Sequence, residues 1–190
     1  TGREAFKDSI RYLVSAPTKT TVENIRVFED EDYVFLQTVY NFAGAGEQVA
    51  FDIFRFDENG QIAEHWDNLA ALAEPNPSGH TQIDGKTEEN RALVKNFLYD
   101  VMQGNHLEKT PEYFNGDTYI QHNTGIADGV SGLNEALAAL AEQGIEMIYD
   151  EIHMVLAQGN YVLTVSEGTF GGVPTSYYDL WRVEDGKIAE

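Results

Sequence analysis

The sequence predicts an α+β fold in which a curved antiparallel sheet forms a cone, with helices on one face and a pocket on the concave side. Three observations predict it. Apolar residues recur at helical spacing in some stretches and alternate with polar ones in others. Gln158-Gly159-Asn160 and Gly171-Gly172 interrupt the alternating stretches as hairpin turns do. The chain also matches itself: a slide of 127 positions (179 − 52) puts Asp52 on Asp179, Arg55 on Arg182 and Ile25 on Ile152. With a one-residue gap, Gly60-Gln61-Ile62-Ala63-Glu64 falls on Gly186-Lys187-Ile188-Ala189-Glu190. One register held over that length predicts a duplication with about one and a half repeats, its period far longer than a solenoid's.

Phe6, Ile10 and Leu13 share a helical face in residues 3–14, the counterparts of Leu133, Leu137 and Leu140 in a helix over 131–143. Strands follow near 20–29, 33–42, 47–56 and 61–70, with Asp57-Glu58-Asn59-Gly60 as the last turn. Residues 74–85, carrying Pro75, Pro77, Gly79 and Gly85, read as a linker. A helix from Lys86 to about Gln103 presents Leu93, Phe97 and Val101, with Thr87 as its N-cap. A short helix over 107–114 has Pro111 near its first turn, and Tyr119-Ile120-Gln121-His122 reads as a strand. The second meander runs near 147–156, 160–168 and 174–184. The expected organisation is residues 1–73 as the C-terminal half of a first unit, 74–85 as linker, and 86–190 as a second unit lacking its final strand end. The alternative is that 1–127 folds as one permuted unit.

Composition narrows the partners. Twelve Lys and Arg face 32 Asp and Glu, a formal charge of −20, and such a surface repels nucleic acid and anionic membranes. With no cysteine, disulfides, thiolate metal sites and a cysteine nucleophile are excluded. No apolar run reaches the roughly 18–20 residues of a membrane span, and no signal peptide opens the chain, so a cytoplasmic location is expected. Gly44-Ala45-Gly46 is a hairpin loop without the spacing of a phosphate cradle, and no nucleophile elbow surrounds Ser166 or Ser176.

Tyr119-Ile120-Gln121-His122-Asn123 followed by Asp128-Gly129 resembles the early-strand motif of SnoaL-like proteins in the nuclear transport factor 2-like superfamily. Asp52-Ile53-Phe54-Arg55, then Gly60-Gln61-Ile62-Ala63-Glu64-His65-Trp66-Asp67, resembles that group's last two strands; Asp179-Leu180-Trp181-Arg182 and Gly186 to Glu190 repeat it without the His-Trp-Asp end. For polyketide cyclases of this family the resemblance implies an intramolecular aldol condensation without metal or cofactor, a pocket Asp removing and returning a proton. Carried over, Asp67 matches the acid–base, with His65 and His122 polarising or orienting the substrate. Asn123, with His122, matches strand positions that line the pocket. Asp52, Trp66, Tyr119, Asp179 and Trp181 are further substrate-binding candidates. The resemblance also implies a homodimer.

Strand alternation places His65 and Asp67 on one face and Trp66 on the other. Asp52 shares a face with Phe54, and Asp179 shares one with Trp181; a carboxylate on an apolar face must be paired, hydrogen-bonded or functional. Arg55 and Arg182 fall on the opposite face, as a salt link to a neighbouring strand would. His65, Asp67 and His122 are thin support for a metal centre, and none is expected. Two readings stand. One is a cofactor-independent enzyme of aldol cyclase or isomerase type, acting on a small apolar carbonyl compound. The other is a non-catalytic ligand-binding or dimerisation module.

Overall fold

The computed structural model describes residues 2–72, 80–123 and 125–190; residues 73–79, which include much of the expected linker, lie outside them. The chain divides into two compact units, Thr1–Glu74 and Pro75–Glu190.

The first unit consists of helix α1 (Gly2–Ser15) and the strands β1 (Thr21–Asp30), β2 (Tyr33–Asn41), β3 (Glu47–Phe56) and β4 (Ile62–Ala71). The strands form one antiparallel sheet in sequence order. Asp57 closes the last turn, its Oδ1 accepting the N–H of Asn59 and Gln61 at 2.9 Å each. One face collects aromatic rings, with Phe28 4.8 Å from Phe35 and Phe35 5.3 Å from Phe51. The helix forms where its periodicity predicts, but the face expected to be core is not: α1 buries none of its residues, and Phe6 and Ile10 are exposed. The physical reason is that no described strand of unit 1 packs closely against that face.

The second unit opens with α2 (Thr87–Phe97), which continues into a π-helical turn over Leu98–Met102. A 3-10 turn leads to α3 (Thr110–Tyr113), then α4 (Gly129–Glu142). The sheet follows as β5 (Met147–Gln158), β6 (Tyr161–Phe170), β7 (Val173–Glu184) and the short β8 (Lys187–Ile188), again antiparallel in sequence order. Helices lie on one face of this sheet, which makes the fold α+β. Val94, Phe97 and Leu98 from the helical layer pack with Ala157, Val162, Trp181 and Val183 from the strands. Phe97 sits at the centre, its ring edge-on to Tyr113, Phe114 and Trp181 at 5.3–5.6 Å.

Two local expectations change. Lys86, not Thr87, occupies the N-cap of α2. The Thr87 hydroxyl instead accepts the Gly159 N–H at 2.9 Å, tying the helix start to the β5–β6 turn. Gly159 has φ +60°, and a Cβ there would meet the Asp84 carbonyl oxygen at 2.4 Å, so the turn requires glycine. Residues 119–122 do not form a strand. Ile120 donates to the Ala189 carbonyl, but the Gln121 N–H is taken by Asp128 Oδ1 at 2.8 Å and the Asn123 N–H by Gln121 Oε1 at 3.0 Å. Side-chain acceptors thus displace the sheet ladder.

Candidate functional site

The helix-facing side of the second sheet is apolar at one end and polar at the other. Going along β7, Val183 and Trp181 belong to the core, while Asp179 and Tyr177 continue the same face by the two-residue period. Across the ladder, Val162, Thr164, Ser166 and Gly168 of β6 oppose Trp181, Asp179, Tyr177 and Thr175. β5 supplies Tyr149 opposite Gly168, Ile152 opposite Ser166 and Val155 opposite Thr164.

Asp179 places a carboxylate on this face. Its Oδ2 accepts the Tyr149 hydroxyl at 3.1 Å. Burial disfavours the anion and pushes its carboxyl up to about 6, and the Tyr149 bond offsets only part of that rise. Tyr149 stacks on Tyr177 with centroids 4.1 Å apart. Tyr119 packs edge-on to Phe114 at 5.3 Å. Burial, and then the charge of Asp179, raise all three phenols above their ordinary value, so at neutral pH they are hydrogen-bond donors. The Tyr177 hydroxyl donates to the Thr169 carbonyl at 2.7 Å, and Trp181 Nε1 donates to Thr164 Oγ1 at 3.0 Å. Among the described residues the fully buried Ser166 hydroxyl has no hydrogen-bond partner, an uncommon situation for a native core.

The residues expected to be catalytic fall in separate units. In the first, Asp52 is buried, and its two oxygens meet His65 Nε2 at 3.0 Å and the Tyr40 hydroxyl at 3.1 Å. His65 lies flat on Phe54 at 4.3 Å. Asp67 is directly opposite Asp52 in the ladder. Trp66 faces the other side, 6.2 Å from Tyr33. In the second unit His122 Nε2 pairs with Glu190 Oε1 at 2.7 Å. Asn123 caps a turn, its Oδ1 accepting the Gly125 N–H at 3.0 Å. Asp52, His65 and Asp67 are therefore brought together, whereas His122 and Asn123 are engaged elsewhere.

Sequence reasoning missed Tyr149 and Glu190. Bulges at Tyr149/Glu151 and Ile152/Met154 put Tyr149, Ile152 and Val155 on one face, which strict alternation denies. Glu190 joins His122 to the buried Arg182, whose Nε lies 2.5 Å from Glu190 Oε2. Burial alone would raise this carboxyl, but hydrogen bonds from His122 and Arg182 overcome it and hold it at about 2. The first unit has a matching pair, Arg55 Nε to Glu64 Oε2 at 2.5 Å, in a more exposed setting.

Among the described residues, no helix is long and apolar enough to cross a membrane. No curated protein matches the chain. The family model described as a SnoaL-like domain matches residues 94–190, half of the chain, and takes in the core, Tyr119, Tyr149, Asp179 and Trp181. The chain belongs to the SnoaL-like domain family.

Proposed function

We propose that the second unit binds a small, largely apolar carbonyl compound on the helix-facing side of its sheet and moves a proton on it with Asp179. The observation that carries the reading is the setting of Asp179: a desolvated carboxylate with no cationic partner among the described residues, held by one tyrosine hydroxyl. A base titrating near 6 is ionised at neutral pH yet strong enough to take a carbon-bound proton next to a carbonyl. The electron pair of the broken C–H bond moves onto the carbonyl oxygen. Tyr119, whose oxygen is hydrogen-bonded by the Gln121 side chain, keeps its own proton to donate to that enolate. Return of the proton to a second carbon gives isomerisation. Attack of the enolate carbon on a second carbonyl of the same molecule moves that carbonyl's π electrons onto its oxygen, which takes the proton back from Asp179, and this gives aldol closure.

The role first assigned to Asp67 by resemblance thus passes to the carboxylate at the position matching Asp52. We read the two units as copies of one ancestral domain. Support comes from the shared order of helix and antiparallel meander and from the two Arg–Glu pairs at matching positions.

The test is exchange of α-protons in D2O, followed by proton NMR over a panel of aryl and alkyl methyl ketones and β-diketones. Wild-type chain accelerates exchange on at least one, and Asp179→Asn does not. If ketones bind, seen as line broadening, but exchange at the buffer rate with both proteins, the unit is a binding module and the acid–base role is refuted.

A further inference from the structure

A second constellation lies on the first unit, outside the Asp179 site. We propose that Asp52, His65 and Asp67 form a binding site for one divalent transition-metal ion of the zinc or cobalt type. One ligand atom from each of the three lies within 4.8 Å of the others. The spacing suits coordination in detail. Ligands at about 2.1 Å from a metal lie about 3.0 Å apart when cis in an octahedron and about 3.4 Å apart in a tetrahedron. His65 Nε2 and Asp52 Oδ1 are 3.0 Å apart, so an ion can replace the bond between them with little movement of either side chain.

The surroundings hold these donors in place. Tyr40 donates to the other oxygen of Asp52, the outer hydrogen bond that fixes a ligating carboxylate and leaves Oδ1 for the ion. The stack on Phe54, with ring planes 3° apart, sets the His65 ring. Asp67 stands directly across the ladder from Asp52. Two carboxylates in that position repel each other, and the Asp67 carboxylate makes no hydrogen bond or ion pair of its own among the described residues. A divalent ion between them turns this repulsion into attraction. One imidazole and two carboxylates select a first-row transition ion over magnesium. Asp52 is buried while His65 and Asp67 are exposed, so the remaining positions face solvent and take water.

The full chain is titrated with zinc chloride by calorimetry, with magnesium chloride as the comparison. One zinc ion binds per chain, and magnesium binds at least 100-fold more weakly. His65→Ala and Asp67→Asn, both at exposed positions, each weaken zinc binding at least tenfold. His153→Ala, in the surface group Glu151, His153 and Glu167, and Asp179→Asn leave it unchanged. Zinc also raises the thermal midpoint of wild type but not of His65→Ala. The proposal is overturned if wild type takes up no zinc at millimolar concentration. Undiminished binding by both first-unit variants, or loss on His153→Ala instead, overturns it as well. Because Asp179→Asn retains the ion, failure here and failure of the acid–base reading are separate results.

Discussion

Replacing Asp179 with Asn should stabilise the second unit at neutral pH while removing its acid–base group. An unperturbed aspartate titrates at 3.8, and Asp179 titrates at about 6 in the fold. At 1.36 kcal/mol per pH unit, the difference amounts to about 3 kcal/mol. The folded state holds the proton more tightly than the unfolded chain does, so the group favours folding most below pH 3.8. That advantage is lost as pH rises to about 6, beyond which the full cost of a desolvated anion is in place. Asparagine carries no charge at any pH and can still accept the Tyr149 hydroxyl. The stability of Asp179→Asn relative to wild type should therefore climb by up to about 3 kcal/mol between pH 4 and 7. Urea unfolding in a Trp66→Phe background, where Trp181 alone reports, measures this directly. Parallel profiles with a constant offset would mean that Asp179 ionises at its ordinary value, and the argument from desolvation would be wrong.

Removing the Tyr149 hydroxyl in Tyr149→Phe deletes the interaction that lowers the Asp179 carboxyl, so the pH at which that penalty appears should move upward in the same unfolding experiment. Arg182→Met leaves Glu190 without its buried guanidinium, both side chains being 5% exposed. Denaturant unfolding should show a loss of about 3–5 kcal/mol, as for other broken buried pairs. The equivalent Arg55→Met breaks a pair whose side chains are 29% and 49% exposed, and its melting curve should nearly overlay that of wild type. Gly168→Ala brings a Cβ to 1.9 Å from the Ile148 carbonyl oxygen; it should unpair β5 from β6 beside Tyr149 and cost about 2 kcal/mol or more. Hydrogen exchange of the β6 amides locates that loss.

Much of the scaffold was legible in the sequence because its signals are local. Leu93, Phe97 and Val101 mark α2 by their spacing, and Gly171 and Gly172 mark a turn that both adopt with positive φ. Alternation along β7 sufficed to put Asp179 with Trp181 and Arg182 on the other side, and along β4 to put His65 with Asp67. What was not legible depends on contacts distant in sequence. Two bulges in β5 each shift the alternation by one residue, so Ile152 joins Tyr149 and Val155 on the Asp179 face against its parity. His122 looks like a pocket residue in its motif, but Glu190, 68 residues away, claims its ring nitrogen. The 119–122 segment has strand-forming residues, yet the Asp128 side chain takes the Gln121 amide hydrogen and the Gln121 side chain that of the next-but-one residue, Asn123. In α1 periodicity marks an apolar face correctly but carries no information on what is there to cover it.

The measurement closest to the central claim is the titration of the Asp179 carboxyl itself, by carbon-detected NMR of selectively labelled aspartate, with Asp179→Asn assigning the resonance. The account predicts a midpoint near 6, moved higher in Tyr149→Phe. A midpoint at or below the ordinary aspartate value would show a well-solvated or cation-paired carboxylate and contradict Asp179 as the proton-transferring group.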